Sequence, residues 1–132
     1  MNGRRRAARV LVAFASVVLF ASAALHSILA YPMVSAALAA SNLSHSLQSA
    51  MRAVFLLVAW DWIVIAMIVL FAGFTETMLR RIVILLCGVA LLVQTGIMLR
   101  FLGWFTGSEM IVAAGLLIVS AGFVFAPNST TS

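Results

Sequence analysis

Few residues in this 132-residue chain can do chemistry. It has three acids, two histidines and one cysteine, and all eight of its basic residues are arginine. Asp61 stands out because it lies inside an apolar run, in Trp60-Asp61-Trp62. On a helix its neighbours are Leu57, Val58, Val64 and Ile65, so its own helix offers it no partner. A carboxylate inside a membrane costs a few kcal/mol even on the lenient insertion scale, so it marks a functional site by default. The expectation is that Asp61 faces the interior of a helix bundle, as a structural hydrogen bond or ion pair between helices. The alternative reading is a proton or cation site. Depth decides part of this. Counted from Met51, Asp61 is about 15 Å along a helix. If instead Trp60 and Trp62 form an aromatic belt, Asp61 sits near water.

Other segments supply possible partners. His26 lies late in the first apolar run, and Gln94 and Arg100 lie late in the third. All lean to the same side as Asp61. The sequence therefore predicts a polar pocket open to the outside and lined by His26, Asp61, Gln94 and Arg100. Such a pocket could bind a ligand or ion, and His26 with Asp61 could pass a proton. No catalytic residue is assigned. An intramembrane enzyme would need two acid–base groups together, and His26 with Asp61 is the candidate pair.

The remaining acids have ordinary roles. Thr106-Gly107-Ser108-Glu109 reads as a capping box at the start of a helix. Glu76 stands four residues before Arg80, a spacing that supports a weak salt bridge. His26, Met33, His45 and Met51 are dispersed soft ligands without tight spacing, so no metal is assigned. No cofactor motif is present either. Cys87 stands alone, which excludes an internal disulfide and a CxxC site.

The elements that must position these residues follow from composition. Hydrophobic residues make up 65% of the chain and charged residues 8%. Mean hydropathy is +1.22. A soluble domain is about half apolar and a quarter charged, and a small one buries only about two-thirds of its surface. A soluble enzyme, a nucleic-acid-binding domain and a disordered chain are excluded as readings.

Apolar segments run over residues 10–31, 53–74, 82–105 and 110–126. About 20 residues cross the hydrocarbon core, and backbone groups there must bond within the segment. The fold expected is a single all-α transmembrane domain over residues 1–132, a four-helix transmembrane bundle with antiparallel neighbours. Its helices span about residues 8–31, 50–75, 80–103 and 108–126. Residues 32–50 and 102–108 then face outward. Leu43, Leu47, Met51, Val54 and Val58 continue the second helical pattern into the first of these connections. Asn42 or Ser44 is its cap.

Arginine placement sets orientation. Arg4, Arg5, Arg6 and Arg9 precede the first segment, and Arg80 and Arg81 precede the third. The other connections carry one each, Arg52 and Arg100. Positive-inside then places both termini in the cytoplasm, in what is expected to be a bacterial inner membrane. The four N-terminal arginines are also suited to anionic lipid headgroups. An alternative reading of residues 2–23 is a signal peptide cleaved after Ala21-Ser22-Ala23.

Small residues predict the packing. Gly107, Ala114 and Ala121 recur every seven residues beside Ser108, Gly115 and Gly122. Ala8, Ala15 and Ser22, beside Ser16, Ala23 and Ala30, repeat the device in the first segment. In lipid, close backbone approach drives helix association. The first and fourth segments should therefore pack together, unless one seam faces another subunit.

Three function classes remain. The first is an accessory or structural component packed against partner membrane proteins. The second is a homo-oligomeric transporter or channel using Asp61. The third is an intramembrane enzyme.

Overall fold

The structure is a computed structural model that describes residues 3–76, 79–104 and 106–125. Among these residues every regular element is helical: α1 (Gly3–Leu25), a π-turn (His26–Ala30), α2 (Tyr31–Ala39), α3 (His45–Phe74), α4 (Arg80–Leu102) and α5 (Thr106–Val124). Four helices are long and apolar enough to cross a membrane: Gly3–Ala39, His45–Phe74, Arg80–Phe101 and Gly107–Val124. The predicted cores of all four are present. The bounds of the first two differ.

Helix one does not stop at Tyr31. The Tyr31 amide donates to the His26 carbonyl, an i to i+5 bond, and the helix resumes as α2 with Pro32 in its first turn. Proline lacks an N–H, and its ring meets the i−4 carbonyl of a regular helix. The wider π-turn loosens the ladder just before it, so Pro32 is absorbed without a break. At about 1.5 Å per residue, the combined 37-residue helix is about 55 Å long. The 30 residues of α3 reach about 45 Å. Helices α4 and α5, with 23 and 19 residues, reach only about 35 and 29 Å. The α2–α3 hairpin therefore overhangs the other two helices at one end.

Helix α3 starts at His45, outside the apolar run. Ser44 is its N-cap, extended at φ −60° and ψ 150°, and its Oγ accepts from the Leu47 amide at 3.4 Å. Ser44→Ala is expected to cost about 1 kcal/mol locally. Amide exchange at Leu47 should speed up about fivefold while global unfolding stays put. Unchanged exchange would mean that the cap carries no weight. At the same end of the bundle α4 stops at Gly103, whose φ of +74° needs glycine.

The expected pairing of the small-residue seams is present. Ala8, Ala15 and Ser22 of α1 and Ser108, Ala114 and Ala121 of α5 are all buried, with α1 packed along α5, whereas the buried Ser16 donates to the Ala66 carbonyl of α3 at 3.3 Å. The second α5 stripe is used on α4. A Cβ built on Gly115 would stand 2.9 Å from Leu92 Cδ2, and one on Gly122 would stand 2.6 Å from Leu85 Cδ2. Gly73 of α3 meets Val12 of α1 in the same way. Both α5 seams are thus occupied within the chain.

The helices form a ring in the order α3, α1, α5, α4. Each long helix lies beside the next one in sequence, although the α3–α4 side is thinly packed. Close backbone approach explains this. Glycines bring α4 to α5 and α3 to α1, but no glycine contact joins α3 to α4.

One ion pair differs from expectation. Glu76 follows the end of α3, so it lacks the helical i, i+4 geometry toward Arg80. It meets Arg5 Nη1 at 3.2 Å and Arg9 Nη2 at 3.8 Å instead. Arg80 donates to the Thr75 carbonyl at 3.1 Å, and its guanidinium lies 4.2 Å over the Phe125 ring. These contacts put the start of α1, the end of α3, the start of α4 and the end of α5 at one end of the bundle. The Thr106 side chain of the proposed capping box lies outside the described residues.

Candidate functional site

The overhang creates a groove of about 870 Å³ between the π-turn and α2 on one wall, α3 at the back and the hairpin-side end of α4. Among the side chains lining it, His26 and Gln94 carry the polar atoms. The rest are apolar, from Ala30, Val34 and Leu38 through Leu47 and Val54 to Ile97 and Met98.

His26 is fixed by three contacts. Its Nε2 lies 2.9 Å from the Phe55 carbonyl. A carbonyl only accepts, so Nε2 carries the hydrogen, and in the neutral ring Nδ1 is an acceptor. The Phe55 ring stacks on the imidazole at 3.8 Å and 14°, and the Trp62 ring meets it edge-on at 5.1 Å and 70°. Trp62 Nε1 then donates to Gln94 Oε1 at 3.3 Å. Thus α3 holds His26 of the first helix and Gln94 of α4 in one network through Phe55 and Trp62.

Phe55 and Trp62 were not among the expected site residues. For Trp62 the sequence offers an outer aromatic belt as one alternative. Instead it is only 2% exposed, while its neighbour Trp60 is 62% exposed and points outward. The seven-residue spacing of Phe55 and Trp62 on one helical face was the available signal, together with the need of a buried indole N–H for an acceptor.

Of the four predicted pocket residues, the structure brings two together. His26 and Gln94 line the groove. Arg100 does not. It is exposed in the last turn of α4. Asp61 does not line the groove either, and it does not face the interior. It lies three residues after Val58, one turn below the groove wall on the same stripe, and it is exposed. The physical reason is register. The α3 face turned to the core is Ala59, Trp62, Ala66 and Val69, and Asp61 precedes the buried Trp62 by one residue, about 100° around the helix. Exposed Leu57, Val64 and Ile68 continue the Asp61 stripe. Among the described residues Asp61 makes no hydrogen bond and no ion pair, with His26 or any other group. The arrangement offers one acid–base side chain in the groove and one carboxylate outside it.

No protein-family model, curated protein or solved structure matches the chain.

Proposed function

We propose that the chain is a non-catalytic accessory component of a membrane, seated against a different membrane protein through the α3 stripe of Leu57, Asp61, Val64 and Ile68. The observation that carries this reading is the exposed Asp61. Arginines frame the bilayer. Arg9, Arg80 and Arg81 lie at the end carrying the termini, and Arg52 and Arg100 lie toward the other. Arg81 to Arg100 spans about 29 Å of helix, close to the roughly 30 Å hydrocarbon core. The positive-inside rule places the termini end in the cytoplasm.

Asp61 is 14 residues from Thr75, so it sits about 21 Å up from the cytoplasmic boundary, in the outer part of the core. A charge there costs about 3 kcal/mol if lipid surrounds it. A partner helix presenting an arginine, lysine or hydrogen-bond donor at that depth removes the cost. The chain's own seams cannot recruit this partner, because they are occupied within the bundle.

The homo-oligomeric transporter is the second reading, and symmetry weighs against it. A two-fold axis along the membrane normal keeps every residue at its own depth. It brings Asp61 to Asp61, and like charges must then share a proton. Arg52 is about 14 Å further along α3, out of reach. An enzyme built on His26 and Asp61 is third, since His26 Nε2 is engaged by the Phe55 carbonyl rather than by Asp61.

A photo-crosslinking residue placed at Val64 in native membranes tests the seating. The reading expects an adduct with one other polypeptide from Val64 and none from Phe14, which is exposed on α1. An adduct of the chain with itself would turn the assignment to the transporter.

A further inference from the structure

We propose that the groove is a binding site for a neutral, lipid-soluble molecule with a hydroxyl head, a long-chain alcohol in chemical class. This rests on the membrane frame set by the arginines, not on the partner at Asp61.

Size selects the class. The groove runs from His26 to Leu38, twelve residues or about 18 Å. The groove has about 870 Å³, within the range of small-molecule sites.

Position argues against ordinary bilayer lipid as the occupant. Arg52, whose Nη2 donates to the Ser35 carbonyl at 3.3 Å, marks the outer boundary. Leu47 lies five residues beyond Arg52 and Leu38 three beyond Ser35, so the groove continues about 5–8 Å past the hydrocarbon. Acyl chains of the bilayer do not cover apolar walls at that level. A bound chain does, and the flexible Met98 and Met51 side chains adapt to its shape.

Polarity selects the head. His26 and Gln94 sit together at the deep end, each already oriented. The Phe55 carbonyl takes His26 Nε2–H, which leaves Nδ1 to accept. Trp62 takes Gln94 Oε1, which leaves its amide N–H groups to donate. One acceptor and one donor are the complement of a hydroxyl, which gives one hydrogen bond and takes another. A carboxylate lacks the hydrogen for Nδ1, and a hydrocarbon leaves both groups unsatisfied. Because the two side chains are held before binding, little ordering is required on binding.

The test uses the full chain in lipid nanodiscs with a diazirine-bearing hexadecanol, and the matching hexadecane and palmitate probes as controls. Hexadecanol adducts should map to Val34, Val54 and Ile97, at least tenfold above either control. Gln94→Met, which keeps side-chain volume, and His26→Leu should each lower that labelling at least fivefold. Val58→Trp, which narrows the groove and leaves His26 and Gln94 in place, should do the same and keeps the test decisive if His26→Leu does not fold. Equal labelling by the three probes, or adducts spread over Phe14 and Phe123 and unchanged in Gln94→Met, would overturn the site. Loss of assembly in an Asp61 variant with hexadecanol labelling intact would separate this site from the partner seat.

Discussion

Replacing Asp61 with leucine is expected to release the chain from its partner while leaving the chain itself folded and more stable. The two effects have opposite signs because they concern different states. In the proposed frame the lone chain exposes Asp61 to lipid about 14 Å short of the outer boundary at Arg52. Leucine there is favoured over aspartate by about 3 kcal/mol on the insertion scale. In the assembled state Asp61 meets a cation or donor. Removing it leaves that partner group buried alone, at a cost of about 3–5 kcal/mol. Affinity should fall at least a hundredfold. Asp61→Asn keeps hydrogen bonding and loses the charge, so its effect should be intermediate. Blue-native electrophoresis of gently solubilised membranes reads assembly, and detergent-induced unfolding of the purified chain reads stability. If Asp61→Leu unfolds the chain, the carboxylate is structural, and the stripe is not a partner seat.

The second large effect concerns the α4–α5 contact. Gly88→Ala should destabilise the bundle by at least about 2 kcal/mol, and Gly115→Ala by clearly less. A Cβ on Gly88 would stand 2.6 Å from Val119 Cγ2, 3.0 Å from the Val119 nitrogen and 3.2 Å from the Gly115 carbonyl. Two of these three obstacles are backbone, so the helices must separate. A Cβ on Gly115 meets the far end of Leu92, at 2.9 Å, which can turn aside. Van der Waals packing is the chief attraction between helices in lipid, and widening this interface forfeits it. Detergent-induced unfolding followed by circular dichroism gives the ranking. Equal stability of the two variants would mean that α4 and α5 do not approach through Gly88.

Much of this architecture was legible in the sequence, and the reasons differ by residue. The four long apolar helices followed from uninterrupted apolar runs, because a backbone in lipid would have no alternative to helix. The contact between the first and last helices followed from Ala8, Ala15 and Ser22 against Ala114 and Ala121, since seven-residue spacing of small groups survives any detail of side-chain packing. The cap of α3 was legible to within two positions, as Asn42 or Ser44, because either side chain can accept from a first-turn amide, and the structure selects Ser44.

The π-turn was not legible. Pro32 ordinarily ends a helix, and nothing in His26–Ala30 announces a fifth-residue hydrogen bond. The site was half legible. His26 and Gln94 were found as polar residues in apolar runs. Phe55 and Trp62 were missed because aromatic residues in such runs usually only fill space. Asp61 was placed in the wrong direction for one reason. The rule that charges face the bundle assumes that the bundle is the whole assembly. The register set by Trp62 and Ala66 turns the carboxylate outward, and only the packed helices reveal that.

Native mass spectrometry of the chain extracted gently from its own membrane should show one copy bound to one other polypeptide, with that species lost in Asp61→Leu. A symmetric homo-oligomer, or a wild-type monomer indistinguishable from Asp61→Leu, would contradict the partner seat.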